Sequence, residues 1–276
     1  MALYTRQIEY KSNAQMRIMQ EAGELLSRAL DAAVAAVAPG VTTDELDAVF
    51  AEVVDAAGAQ YNFLGYHGYP KHICASVNDE VVHGIPGNRV LEPGDVVKID
   101  GGCIVRGWNA DSARTVIVGE GDPEDVRLSE ITRMAMWHGI AALATAKYVG
   151  DIGDAIDDYV SAQQGKPLGI LEDYCGHGIG SQMHMAPDVL NYRSKHRGPK
   201  VKPGMCFAIE PMLVRGDIET VTLEDDWTVV TTDSSRASQW EHSVAVHRQG
   251  IWVLTAPDGG ASELEKLGVT VVPIPA

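Results

Sequence analysis

Residues 96–115 read VVKIDGGCIVRGWNADSART. A β-branched apolar run (VVKI) precedes a glycine-bearing bend, and a second such run (TVIV, 115–118) follows it. This pattern predicts a β-hairpin turning near Arg106-Gly107, with Asp100 and Asp111 on facing strands. Within a register tolerance of about one or two residues, the two aspartates are cross-strand neighbours. Like charges placed that way repel, so the hairpin needs something between them.

On either side of this hairpin the texture alternates. Residues 12–37 carry helical spacing, with Met16, Met19, Leu25, Leu26, Leu30 and Val34 as the expected apolar stripe, and Pro39-Gly40 ends it. A second helix is expected from the capping pair Thr42/Glu45 to about Gly58. Strand-and-turn texture fills 60–118, helical texture 124–146 and 150–164, and strands return over 174–250.

The order helix, helix, strands thus occurs twice, and short matches support a repeat. EPGDVVKID (92–100) parallels KPGMCFAIE (202–210), each a Pro-Gly followed by an apolar strand ending in a carboxylate. Upstream, HGIPG (83–87) parallels HGIG (177–180). The expectation is two pseudo-symmetric αβ halves whose sheets meet and bring the strand-end carboxylates to one cleft. With no Pro/Ser/Gly-rich linker between the halves, one integrated domain over 1–276 is expected. In it, residues 1–58 form a helical lead-in, and about 60–118 and 174–250 form the strand-rich half-sites.

Composition narrows the function. The formal net charge of -16 argues against nucleic-acid binding, which requires a basic face. No apolar run approaches the roughly 18 to 20 residues needed to span a bilayer. The N-terminal stretch MALYTRQIEYKSNAQ lacks an apolar signal core, so a cytoplasmic protein is expected. Cys74, Cys103, Cys175 and Cys206 form no C-x-x-C pair and read as reduced thiols. Neither G-x-G-x-x-G nor a Walker motif occurs.

Asp100, Asp111, His177, Glu210 and Glu241 become candidates for one centre. Four carboxylates in a cleft stay ionised only beside cations, and an oxygen-rich set with one imidazole suits Mn²⁺, Fe²⁺, Co²⁺ or Zn²⁺. Two such ions, roughly 3.5 to 4 Å apart, can clamp a hydroxide for attack on a carbonyl or phosphoryl centre. Each residue also has a plainer reading. Asp100 could sit in a turn, Asp111 could pair with Arg114, and His177 could be a core histidine. Glu241 could face solvent from an alternating strand. Glu210 is the exception, because a glutamate closing an apolar run is rarely buried unless paired or ligating.

The stretches GYHGYPKHICASVNDEVVHGIPG, LEPGDVVKID, NADSARTVIVG, YCGHGIG, VKPGMCFAIEPM and WTVVTTDSSRASQWEHSVAV together resemble the type I methionine aminopeptidases, over roughly residues 6–250. The resemblance implies an α+β pita-bread fold, two pseudo-symmetric halves around a central dimetal cleft. It implies a metallo-exopeptidase that removes N-terminal methionine from peptides and nascent chains with a small second residue, by a metal-bridging hydroxide. Asp100, Asp111, His177, Glu210 and Glu241 would hold two divalent ions (Co, Mn, Fe or Zn), with Asp111 and Glu241 bridging and Glu210 moving protons. His83 would contact the substrate near its N-terminus, and His184 would stabilise the tetrahedral intermediate. Tyr66, Tyr69, Cys74 and Trp227, with Phe63 and Met183, would line the methionine pocket, where sulfur–aromatic contacts are favourable. A monomer with transient ribosome contact is expected.

Two departures from the family pattern stand out: Met185 where glutamate is common, and Asn109-Ala110 where His-Gly is common. Only 25 residues separate His184 from Glu210, which leaves no room for a type II insertion. Competing readings are a pita-bread binding protein without activity, a proline-specific peptidase, and a dimetal phosphoesterase. Retention of all five ligand positions counts against the first.

Overall fold

The structure, a computed structural model, describes residues 7–276. The first six residues of the stretch read above as lacking a signal core lie outside the described residues, as does the start of the family resemblance.

Helix α1 (Asn13–Ala36) opens on a capping box in which Ser12 and Gln15 satisfy each other's backbone amides. Its buried stripe runs Met16, Met19, Leu25, Leu26, Ala29, Leu30 and Ala33. Val34 is only half-buried, because alanine at 33 takes the inward position and leaves Val34 on the flank. Helix α2 (Thr43–Ala56) opens on the expected Thr42/Glu45 box. Strands β1 (Gln60–Tyr61), β2 (Ile73–Val77) and β3 (Glu80–Val82) lead to the hairpin of β4 (Val96–Val105) and β5 (Trp108–Ile117).

That hairpin turns at Arg106-Gly107, both with positive φ (49° and 80°), the backbone a two-residue type I′ turn demands. The turn fixes the register: Asp100 faces Ala113 and Asp111 faces Gly102. The two aspartates are therefore diagonal neighbours on one face, two residues out of direct opposition. The opposite face packs Val97, Ile99 and Cys103 beneath Leu25, Leu26, Ala29 and Leu30 of α1. Burying such an aliphatic side chain contributes about 1.5–3 kcal/mol.

The second half repeats this plan with longer detours. Helices α3 (Pro123–Leu143) and α4 (Gly150–Ser161) each stop about three residues before the sequence pattern suggested. Next come β6 (Gly169–Ile170), β7 (Gly176–Gly178), β8 (Met185–Val189), β9 (Cys206–Ile209) and β10 (Met212–Val214). Then follow β11 (Thr220–Thr222), β12 (Val229–Thr231), β13 (Ala237–Gln239), β14 (His242–His247) and β15 (Gly250–Val253). One sheet runs β15-β14-β9-β7-β8, while β1 and β2 share the edge of β4 opposite β5. Two smaller sheets, β13-β10-β6 and β11-β12-β3, complete the fold and contribute Gln239, Met212 and Val82 to the lining of the central cleft.

The main sheets meet along a polar seam. Glu241 and Ala113 exchange backbone hydrogen bonds (3.0 and 3.4 Å). Ser112 Oγ donates to the Glu241 carbonyl (2.6 Å), Ser243 Oγ to that of Asp111 (2.7 Å), and Thr115 Oγ1 to that of Gln239 (2.6 Å). The C-terminal tail is extended and anchored by Ile274, which is buried among Met16, Met19 and Leu254. Among the described residues no helix is long and apolar enough to cross a membrane.

Candidate metal centre

Two strand interiors and two strand ends supply the carboxylates; β4 runs on five residues past Asp100, so the expected strand-end position holds for Glu210 but not for Asp100. Asp100 and Asp111 come from the β4–β5 hairpin. Glu210 lies one residue beyond β9 and Glu241 one residue before β14. β10 pairs with β13 (Met212↔Gln239) and β9 with β14 (Ile209↔His242) in one continuous register. Carried through the bend between those pairs, that register sets Glu210 opposite Glu241. His177 enters from β7, paired to Ala208. Its flanking glycines are required there, because a Cβ at Gly176 or Gly178 would lie 2.3 Å from the carbonyl oxygen of Ala208 or Ala186.

All five side chains are buried. His177 directs Nδ1 to the Gly178 carbonyl (3.0 Å), which fixes Nδ1 as the donor and turns the Nε2 lone pair inward. Nε2 then lies 3.5 Å from Glu210 Oε1 and 4.0 Å from Asp111 Oδ2. Lone pairs facing lone pairs at these distances call for a shared proton or cation. Donor atoms fall into three groupings, each within 4.8 Å: Asp111/His177/His184, His177/Glu210/Glu241 and Asp100/Asp111/Glu241.

The electrostatics agree. Burial pushes the Asp100 carboxyl up to about 7, with the Gln239 amide (3.3 Å) opposing the shift. Burial and then the neighbouring carboxylates raise Asp111, Glu210 and Glu241 as well. Burial, with His184 close by, lowers His177 to about 3, so the imidazole is neutral and ligand-competent. Among the described residues no lysine or arginine pairs with any of the four carboxylates, and Asp100 Oδ1, Asp111 Oδ1 and Glu241 Oε1 are buried without a donor. Orphaned buried oxygens on clustered acids fit divalent cations, which satisfy oxygens and charge together.

Against this centre lies a cavity of about 320 Å³. Every expected metal, catalytic and pocket residue lines it: Phe63, Tyr66, Tyr69, Cys74, His83, Met183, His184 and Trp227 beside the five at the centre. Tyr69 packs edge-on against Trp227 (5.0 Å) and Phe63 (6.3 Å), and His83 sits 6.2 Å from Trp227. Tyr66 Oη and His184 Nδ1 are 2.9 Å apart, and the His184 ring lies 4.3 Å from that of His177. Burial, then His184, lowers His83 to about 4. The plainer readings fail for three residues: Asp100 is inside β4 rather than in a turn, Glu241 is 2% exposed, and Arg114 pairs with Asp31 instead of Asp111. HGIPG and HGIG are not equivalent either, since His177 is on a strand paired to β9 while β2 separates His83 from β4.

Sequence reading missed Gln239, Met212, Tyr174 and the seam hydroxyls. Gln239 was reachable, standing two residues before Glu241 and so on the same side of an extended chain. The seam serines and threonine carried no signal, because their partners lie more than 120 residues away.

The profile of metallopeptidase family M24 matches residues 17–248. A methionine aminopeptidase 1 of Mycobacterium tuberculosis is 45% identical over 254 residues, covering 91% of this chain and 96% of that one. The crystal structure of a methionine aminopeptidase from Rickettsia prowazekii superposes with a TM-score of 0.86 at 36% identity, covering 91% of this chain and all of that one. A prolidase from Pyrococcus horikoshii shares the fold alone, with a TM-score of 0.69 at 20% identity.

Proposed function

The chain belongs to the methionine aminopeptidases of metallopeptidase family M24, and from that premise we propose that its cleft removes N-terminal methionine from peptides and nascent chains with a small second residue. The observation that carries the reading is the buried carboxylate cluster with three unsatisfied oxygens, opening onto an aromatic and sulfur-lined pocket. Asp100, Asp111, His177, Glu210 and Glu241 would hold two divalent cations. Bound there, the ions supply Lewis acidity and an activated water.

The chain's own residues do the rest. Phe63, Tyr69, Cys74, Met183 and Trp227 receive an unbranched thioether, which sulfur–aromatic contact favours over a branched or charged side chain. If the Tyr66 hydroxyl donates to His184 Nδ1, the ring proton sits on Nε2, where it can donate to the oxygen of the scissile carbonyl as charge develops. His83, held neutral by burial, serves as acceptor or donor near the substrate amine. Glu210 takes and returns the proton at its carboxylate, whose proton affinity is raised by burial and by the Asp100 carboxylate.

The test is methionine release from Met-Ala-Ser by chelator-stripped protein titrated with Mn²⁺, Co²⁺, Fe²⁺ and Zn²⁺, with a Leu-Pro peptide alongside. Metal-restored cleavage of the methionine peptide alone is expected. Cleavage before proline without methionine release contradicts the reading.

A further inference from the structure

A second cavity, of about 600 Å³, adjoins the catalytic one through a common wall of Tyr66, Met183 and His184. Its own surface includes Asn62, His67, Ile104, Asn109, Gln182 and Met185. We propose that this cavity is an extended subsite that binds the substrate backbone from the third residue onward and prefers uncharged side chains there. The proposal rests on the aminopeptidase reading above and adds where the rest of the peptide goes.

Three observations carry it. The first is continuity. The substrate's methionine fills the pocket of Phe63, Tyr69 and Trp227, and its scissile carbonyl lies by His184, so the remaining chain leaves past His184. The far side of the Tyr66–Met183–His184 wall is this cavity. Each further residue of an extended chain advances about 3.3 Å, so the third and fourth residues reach it.

The second is chemistry. No aspartate, glutamate, lysine or arginine lines the cavity, whose basic side chains are the imidazoles of His67 and His184. The side-chain amides of Gln7 and Gln182 offer donors and acceptors to any peptide backbone, while Ile104, Met183 and Met185 give apolar contact; the Ser181 hydroxyl is taken by Glu9. Asn62 belongs to the wall rather than to the contacts, since its Nδ2 donates to the Ala110 carbonyl (3.1 Å) and its Oδ1 is buried against Gly102.

The third is that both departures noted in the sequence converge here. Asn109 donates through its backbone amide and its Nδ2 (2.9 Å each) to the Gly180 carbonyl, holding the loop that leads to His184. Met185 begins β8 beside it. Charged or basic side chains at these two positions would make a polar mouth; asparagine and methionine make a neutral one.

The experiment compares kcat/KM for Met-Ala amide, Met-Ala-Ser amide and Met-Ala-Ser-Gly amide on the metal-loaded enzyme. It then replaces the third residue with glutamate or lysine, in wild type and in Met185→Glu and Met185→Lys. The expected result is a gain of about tenfold from dipeptide to tetrapeptide, the effect of roughly 1.4 kcal/mol of added binding. Wild type should discriminate against both charged third residues. Met185→Glu should shift the Lys-to-Glu ratio upward by about two- to fivefold, the size of a solvent-exposed ion pair, and Met185→Lys should shift it downward. Ratios within one protein cancel any general loss of activity. Equal kcat/KM at every length, or variants that move all peptides alike, overturns the subsite and leaves the aminopeptidase reading standing. No methionine release from any peptide overturns both.

Discussion

The two carboxylate pairs of the cleft are built in opposite ways. Asp100 and Asp111 sit eleven residues apart on a tight hairpin whose I′ turn sets them diagonally. Glu210 and Glu241 sit on strands separated by a long excursion through β11 and β12, and one register running through a bend sets them face to face. The first pair is positioned by local backbone chemistry, the second by tertiary pairing and by the seam to β5. Positional accuracy therefore depends on a turn in one half and on hydrogen bonds across the molecule in the other.

The largest effect should come from the carboxylates themselves, where this difference disappears. Asp111→Ala in the hairpin and Glu210→Gln in the bent pair should each lower kcat/KM for methionine release by about 10³-fold or more, the scale of several kcal/mol of lost transition-state stabilisation. Retained activity in either would separate that residue from the centre.

Next in size is the packing around His177. Gly178→Ala places a Cβ against the Ala186 carbonyl and should cost roughly 2–3 kcal/mol of unfolding free energy, measured by urea denaturation. An unchanged midpoint would mean that β7 and β8 can part without consequence.

A smaller, pH-dependent effect follows from the clustered acids. In chelator-stripped protein the Asp100 carboxyl is raised to about 7 from an unfolded value near 3.9. A raised folded value means stability present at low pH and lost as pH rises through about 7. Stripped protein should thus melt lower at pH 8 than at pH 5.5, by a few degrees. Added Mn²⁺ should raise the melting temperature more at pH 8 than at pH 5.5. Equal metal stabilisation at both values would contradict the account of buried, self-repelling acids.

The smallest effect belongs to the turn. Arg106 has left-handed backbone and an exposed ion pair to Glu21 that contributes little. Arg106→Asn should stabilise the hairpin by about 0.5 kcal/mol, because asparagine tolerates that conformation better. No homologous gain is available in the Glu210/Glu241 pair, which has no turn to improve.

The same contrast explains what could be read from the sequence. The β4–β5 hairpin, the apolar stripe of α1 and the capped start of α2 were legible because their determinants lie within a few residues. The second carboxylate pair became legible through the repeat of EPGDVVKID in KPGMCFAIE, which carried Glu210 but not its partner's register. His83 and His177 looked equivalent by sequence and are not, because strand order is a tertiary property. Ser112, Thr115, Ser243 and Gln239 make the seam through long-range bonds, and no local pattern announces such partners.

The most direct measurement is the stoichiometry of divalent ions bound by stripped protein, by calorimetric titration with Mn²⁺ in wild type and in Asp111→Ala. The account predicts two ions per chain in wild type and a loss of at least one in the variant, accompanied by loss of methionine release. Binding of no ion by wild type, or unaltered binding by Asp111→Ala, would contradict a metal centre in this cleft.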